Sequence, residues 1–413
     1  MNVRRTAAVL AATAVIAAAC APAALADDKS PSAAPSQAIP SGLYGSTDPS
    51  YDGVWRQSLA LLAQHTVGEK PAAKAVDWLT GQQCESGAFA AYRADASAKC
   101  DAKTMVDTNS TAAAVQALEA LGGHDSVTGA AVKWLKSVQN KDGGWGYTPG
   151  GASDANSTAV VIGALTAGGT DPKEVPSKDD KTPYDALLTF SLPCDGDGGG
   201  AFAYQPDKKG GLAANADATA AAVTGALGKG FAGDDVKPAG DPACKSGDSL
   251  DAAQAAGNGA AYLTGVLAKD KYLKSALAGA KDQPDYGNTA DAVVALSTAG
   301  HGDKAADALR WLEKNSGAWA AKSGPAAYAQ LIFAAKAGGV DPRAFGGADL
   351  VKQLNATGPA TEVSDHSAAP SAEQDDKKDD GSGLGVWWIV GVGLVAGIGV
   401  GFLFSGRNKK QRL

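Results

Sequence analysis

The chain has 413 residues and a formal net charge of −7, from 37 Lys and Arg against 44 Asp and Glu, which argues against a nucleic-acid partner. Apolar residues make up 45% and charged residues 20%, so most of the chain is able to bury a core.

At the start, Arg4 and Arg5 precede an apolar stretch from Ala7 to Ala19, and Ala24-Leu25-Ala26 precedes Asp27. This is the pattern of a signal peptide over 1–26 with a small-x-small cleavage site, and it leaves open whether export runs through the Sec or the Tat route. Residues 27–40 are rich in Ser, Ala, Pro and charge and form a linker that cannot bury a core.

From 41 to 356 one pattern recurs. A helix ending in an aromatic-Leu pair leads to a Gly-aromatic turn, and an Ala-rich helix follows that opens with Asp, Asn, Ser or Thr. The first copy has Trp78-Leu79, Gln83, Gly87-Ala88-Phe89 and Asp107-Thr108-Asn109; the second has Trp134-Leu135, Gln139, Gly143-Gly144-Trp145 and Asp154-Ala155-Asn156. Both obey aromatic-Leu-x3-Gln-x3-Gly-x-aromatic. A third copy keeps Leu187-Leu188, Gly200-Ala201-Phe202 and Asn215-Ala216-Asp217 but lacks the Gln, a fourth offers Tyr272-Leu273 with Asn288 and Asp291, and a fifth offers Trp311-Leu312 and Trp319. Phe89, Trp145 and Phe202 are 56 and 57 residues apart (145 − 89, 202 − 145), the length of a helix pair with its loops.

Each second helix carries small residues on nearly every face and suits an inner ring, whereas the first helices have one apolar stripe beside Lys and Glu and suit an outer ring. Outer helices are predicted near 72–83, 127–139, 182–192, 268–281, 303–315 and 344–355. Inner ones are predicted near 53–65, 107–121, 154–168, 214–229, 286–299 and 324–338. Six of each close an α6/α6 toroid.

Beyond it, residues 357–382 form a low-complexity tether, and 384–404 an uncharged stretch long enough for one transmembrane helix at about 1.5 Å per residue across roughly 30 Å. Trp387 and Trp388 mark its outer end, and Arg407, Lys409, Lys410 and Arg412 form a basic tail over 405–413 that stays cytoplasmic. The expected fold class is therefore all-α: an α6/α6 toroid ectodomain plus one C-terminal transmembrane helix, single-pass in the plasma membrane with its N-terminal domain extracellular. Removal of the signal peptide takes Cys20 and leaves Cys84, Cys100, Cys194 and Cys244, an even set in an oxidising compartment. Three pairings are open, of which neighbour pairing, 84 with 100 and 194 with 244, is favoured.

The aromatic-Leu-x3-Gln-x3-Gly-x-Trp pattern resembles the repeat of the prenyltransferase and squalene-cyclase superfamily, whose toroid is shared by vitamin B12 carriers of the intrinsic factor and transcobalamin type. The resemblance spans nearly the whole ectodomain and implies the fold, while function varies widely across it. Squalene-cyclase-like enzymes use Asp-x-Asp-Asp or an equivalent acidic cluster at the cavity wall, and the tetrapeptide is absent here; Asp179-Asp180 and Asp234-Asp235 read as solvated loop groups. The zinc site of protein prenyltransferases needs three or four converging ligands, which His65, His124, His301 and His366 do not supply. No catalytic or metal-ligating residue is assigned on this reading.

What recurs most faithfully is polar: Asp107 with Asn109, Asp154 with Asn156, Asn215 with Asp217, and Asn288 with Asp291, all at the openings of inner helices. Helix capping explains such residues structurally. Functionally they form a rim, because inner helices that run in one direction gather their N-termini at one mouth, with Tyr147 and Tyr204 beside them. The leading expectation is a non-catalytic, membrane-anchored binding protein that captures a small molecule there, such as a corrinoid, for delivery to an uptake transporter or a partner surface protein. The alternatives are a cell-envelope enzyme of the prenyltransferase/terpene-cyclase or polysaccharide-processing type, favoured by a buried carboxylate pair in the cavity, and a structural surface module.

Overall fold

The computed structural model describes residues 38–362 apart from 235, 248 and 277–281, and every element below lies in the unit that begins at Ile39. The predicted signal peptide, transmembrane stretch and basic tail lie outside the described residues, among which no helix is long and apolar enough to cross a membrane.

Thirteen helices are described. Six of them, α1 (Gly53–Thr66), α3 (Thr108–Leu121), α5 (Ala155–Ala167), α7 (Ala216–Ala226), α9 (Tyr286–Thr298) and α12 (Pro325–Ala337), pack each against the next, and α12 returns to α1. This is the closed inner ring. Outside it lie α2 (Ala73–Gly81), α4 (Asp125–Ser137), α6 (Pro183–Leu188), α8 (Ala252–Asp270), α10 (Gly302–Asn315) and α13 (Leu350–Asn355), each against its inner partner, while the short α11 (Gly317–Ser323) links α10 to α12. The inner helices are buried almost throughout because their Ala, Gly and small polar residues allow close approach on every side. Outer helices bury one stripe, such as Ala131, Leu135 and Trp134 of α4. Leu118, Leu135 and Leu165 are fully buried, each worth about 1.5–3 kcal/mol of transfer free energy.

One predicted helix falls elsewhere. The fourth outer helix is α8 over 252–270 and not 268–281. Its Ala/Gly-rich sequence hides the apolar stripe, but Asp251 and Gln254 form a capping box at its start and Lys271, at φ +63°, ends it. Leu273–Lys274 then pairs antiparallel with Pro284–Asp285, as Phe89–Ala90 pairs with Val106–Asp107.

The repeat follows from three contacts. In each of four copies a Thr four residues after the cap accepts from a backbone amide of the preceding turn or strand: Thr111 from Phe89, Thr158 from Trp145, Thr219 from Phe202 and Thr289 from Leu273. The turn glycines Gly87, Gly143 and Gly200 have φ near +90° (93°, 90° and 81°), and a Cβ on any of them would strike the carbonyl of Ala130, Thr182 or Asn258 in the next outer layer. Gln83 and Gln139 clamp the same turns, each donating to the turn glycine's carbonyl at 3.0 and 2.8 Å and to Val127 or Val175 of the next outer layer. The third copy has Ser191 in the Gln position, bridged to Phe202 as Gln83 is to Phe89, and there the Cys194–Cys244 disulfide brings the Cys244 sulfur against Gly200. The second disulfide joins Cys84 to Cys100 with a Cα separation of 5.5 Å, so the pairing is between neighbours as favoured.

The ring is sealed at α1 by both ends of the domain. Tyr44 is fully buried, its hydroxyl donating to the Pro359 carbonyl at 3.1 Å and accepting from Gln64 at 2.9 Å. The Gly45 amide donates to the Thr357 carbonyl and that of Glu362 to Lys70. Residues 357–362, read from sequence as the start of the tether, thus belong to the folded domain.

Candidate functional site

Four of the five aspartates that matter here sit in the first turns of inner helices, where the backbone positions them. Asp107, Asp154 and Asn215 cap α3, α5 and α7, their side chains accepting from the amides of Ser110, Ser157 and Ala218. The corresponding cap of α9 is Asp285, which accepts from the Asn288 amide at 3.1 Å. Two residues after each cap come Asn109, Asn156, Asp217 and Gly287, and Asp291 lies one turn deeper in α9.

Inside the ring is a cavity of about 190 Å³, more than ten times what one ordered water needs. Its polar wall includes Asn156, Asp217, Asp285, Asn288, Asp291 and Gln330, with Gln116 and Lys229 also lining the space, and its aromatic wall is Trp55, Phe231, Tyr286, Trp319 and Phe333. Asn156 donates to Asp217 at 3.1 Å, Gln330 to Asp291 at 3.0 Å and Asn288 to Asp285 at 2.9 Å. Tyr286 stacks between Trp311 at 5.0 Å and Trp319 at 5.5 Å. At the opposite end, the segment after α7 turns inward: the Phe231 amide donates to Gln116 at 3.0 Å and its ring meets Trp55 edge-on at 5.2 Å.

Asp217 and Asp291 are half-buried by exposure, but both line this cavity and have protein on all sides beyond it. Removal from bulk water is the largest cause that lifts them. Asp217 rises to about 7, helped by the charge of Asp285 and held back by the Asn156 amide. Asp291 rises to about 8, helped by Asp217 and held back by Gln330. Both shifts favour the protonated carboxyl, most strongly at Asp291, which lies across the cavity lining from an aromatic wall.

Of the residues singled out in the sequence, the structure brings Asn156, Asp217, Asn288 and Asp291 together in the cavity wall. Asp107, Asp154 and Asn215 are engaged as caps, and burial raises Asp107 and Asp154 to about 6. Asn109 is buried with neither side-chain polar atom hydrogen-bonded. Tyr204 donates to Asp154 and Tyr147 lies near Asp107, and burial pushes both phenols up; they cover caps and do not line the cavity. Sequence reasoning passed over Asp285, Phe231, Gln330 and Phe333. Asp285 was legible, since it precedes Thr289 by the four residues that separate Asp107 from Thr111 and Asp154 from Thr158. Among the described residues no His, Cys, Asp and Glu group is arranged to hold a metal ion.

Residues 55–221 match the family model of the prenyltransferase alpha-alpha toroid domain. That match covers the first part of the repeat domain, whose described helices close an α/α toroid of the kind the family model describes. A 42-residue stretch is 55% identical to drimenyl diphosphate synthase of Streptantibioticus cattleyicolor, which is 10% of this chain and 8% of that enzyme's length. Two solved structures are similar at 16% identity. A protein from Actinoplanes has a TM-score of 0.47, with 74% of this chain and 96% of that one covered. The ent-copalyl diphosphate synthase from Streptomyces platensis has a TM-score of 0.46, with 70% and 50% covered.

Proposed function

We propose that the toroid is a proton-initiated cyclase or isomerase acting on an isoprenoid chain, the envelope-enzyme alternative and not the corrinoid receptor. One observation carries this reading: Asp217, Asp285 and Asp291, from two neighbouring helices, meet in an aromatic-walled cavity inside the ring. The missing Asp-x-Asp-Asp tetrapeptide is no obstacle, because the acidic cluster is assembled across α7 and α9. The sequence match to drimenyl diphosphate synthase, short as it is, supports the same direction.

In this mechanism Asp291 donates its proton to one carbon of a terminal carbon–carbon double bond, whose π electrons form the new C–H bond. The adjacent carbon becomes cationic and is attacked by the next double bond. The aromatic rings of Trp55, Phe231, Trp319 and Phe333 around the cavity stabilise the positive charge without offering a nucleophile. Loss of a proton from a neighbouring carbon to Asp217 or water ends the sequence. An acid that transfers a proton near neutrality works best with a pKa close to the operating pH, as Asp291 has.

The test is incubation of purified protein with farnesyl diphosphate, geranylgeranyl diphosphate and squalene, followed by mass spectrometry of extracted products. Cyclised product that disappears in Asp291→Asn supports the reading, and no product from any of the three between pH 5 and 8 overturns it.

The two disulfides suit an oxidising compartment. With the signal peptide at 1–26 and the apolar stretch at 384–404 they support a single-pass surface location, with the toroid outside and 405–413 inside. Recovery of a chain truncated after Ser382 from the medium, against membrane recovery of the full chain, tests it.

A further inference from the structure

We propose that Phe231, at the tip of a loop inserted into the ring, fixes the length of the apolar chain that the cavity accepts; that the chain is an isoprenoid rests on the cyclase reading above. The first ground is a second cavity. It measures about 270 Å³ and is lined by Leu62 of α1, Glu119 and Ala120 of α3 and Ala167 of α5. The same helices meet the first cavity through lower-numbered residues, Leu59, Gln116 and Val160 among them, so the two spaces stack along the ring axis.

The loop after α7 divides them. Lys229 and Phe231 line the first cavity alone, Ala232 and Gly233 the second alone, and Gly230 and Gln116 line both. The partition is one loop thick, and Phe231 stands where the first cavity would otherwise run on into the second.

The second ground is how firmly this loop is held. Lys229 and Asp234 pair at 2.6 Å and close its base, and the Asp234 amide donates to Thr298 Oγ1 of α9 at 3.3 Å. At the tip the Phe231 amide donates to Gln116 Oε1 at 3.0 Å, Gln116 Nε2 donates to the Val160 carbonyl at 3.0 Å, and the Phe231 ring meets Trp55 edge-on. Two glycines leave room for this link, since a Cβ on Gly163 or Gly230 would lie 2.9 or 2.1 Å from the Gln116 side-chain amide. Gly163 sits inside α5, where glycine is otherwise unfavourable, and the anchor of the loop accounts for it.

The third ground is size. At about 190 Å³ the first cavity is little larger than a dry protein cavity of roughly 150 Å³ that takes one benzene ring, so with the partition in place it holds a ring-sized part of a chain. Opening it into the second space would more than double the volume.

The experiment titrates the full-length protein with geraniol, farnesol and geranylgeraniol, each longer than the last by one isoprene unit, and reads binding by tryptophan fluorescence, because Trp55 and Trp319 line the cavity. A buried CH2 adds about fourfold in affinity, so a further isoprene unit that finds space should add about tenfold or more. In the unaltered protein geranylgeraniol should bind within about threefold of farnesol, and in Phe231→Ala that step should grow to about tenfold or more while geraniol changes by less than about threefold. Ala167→Trp, which fills the second cavity from an exposed position, should abolish the gain of Phe231→Ala and change nothing on its own. A full step in the unaltered protein, a change in chain binding by Ala167→Trp alone, or a step no larger in Phe231→Ala overturns the proposal. The first two are read with Phe231 in place, so a poorly folding variant does not rescue it, and no binding of any of the three alcohols overturns it as well. A length limit that Phe231→Ala lifts, without cyclised product, would sink the cyclase reading alone, and cyclised product without a length limit would sink this inference alone.

Discussion

The copies that open on α3, α5 and α7 and the copy that opens on α9 share one scaffold and use it differently. In the first three, the cap residue is committed to the helix start: Asp107, Asp154 and Asn215 each accept a first-turn amide and none lines the cavity. In α9 the cap Asp285 also lines the cavity, Gly287 takes the position held elsewhere by Asn109, Asn156 and Asp217, and Asp291 projects from the next turn. The regular copies also keep the Gly-aromatic turn, whereas the fourth has Leu273 where the others have Phe89, Trp145 and Phe202. Of their helix-opening polar residues the regular copies thus bring only Asn156 and Asp217 to the cavity, two residues past their caps, whereas the departing copy puts its cap there as well.

Replacing acids in the two regions should separate them most widely. Asp291→Asn should cost about 10²–10⁴-fold in cyclisation, the usual range for a general acid, with no loss of thermal stability. Asp107→Asn in the regular region should leave turnover within about twofold. Equal losses in steady-state assays would erase the distinction.

The disulfides come next. On the chain-entropy model, loops of 16 and 50 residues contribute about 3 and about 4 kcal/mol. The third copy lacks the Gln clamp and has Cys194–Cys244 at its turn, so Cys194→Ser with Cys244→Ser should be the more damaging pair in urea denaturation. A larger loss from the Cys84 and Cys100 pair would show that Gln83 does not compensate there.

The pH dependence of stability follows from the lifted acids: Asp107 and Asp154 near 6, Asp217 near 7 and Asp291 near 8, against an unfolded value of 3.8. Between pH 4 and 8 the folded chain holds more protons than the unfolded one, so stability falls as pH rises through that window. The melting temperature should be higher at pH 5.5 than at 8.5, and Asp217→Asn with Asp291→Asn should flatten the upper part of that slope. A melting temperature that increases with pH would contradict these assignments.

The smallest effect is the most even-handed. Loss of a cap costs about 1 kcal/mol, so Asp154→Ala and Asp285→Ala should destabilise similarly although they lie in different regions. Of the two, Asp285→Ala alone should also lower turnover, measurable in the same product assay, because Asp285 lines the cavity and Asp154 does not.

Local pattern alone determined the helical class, the six-and-six ring arrangement, the turn glycines and the caps Asp107, Asp154 and Asn215, because these depend on period, spacing and first-turn chemistry within a few residues. The tether boundary and the fourth outer helix escaped it. Thr357 and Pro359 are held by partners some 300 residues away, and α8 has no strong apolar stripe to betray it. The acidic cavity belongs to tertiary structure. Asp217 and Asp291 are 74 residues apart in the chain (291 − 217), each looks like an ordinary helix-opening polar group, and only the closing of α7 against α9 puts both carboxyls in one desolvated space, where removal from water lifts both and the charges of Asp217 and Asp285 lift Asp291 further.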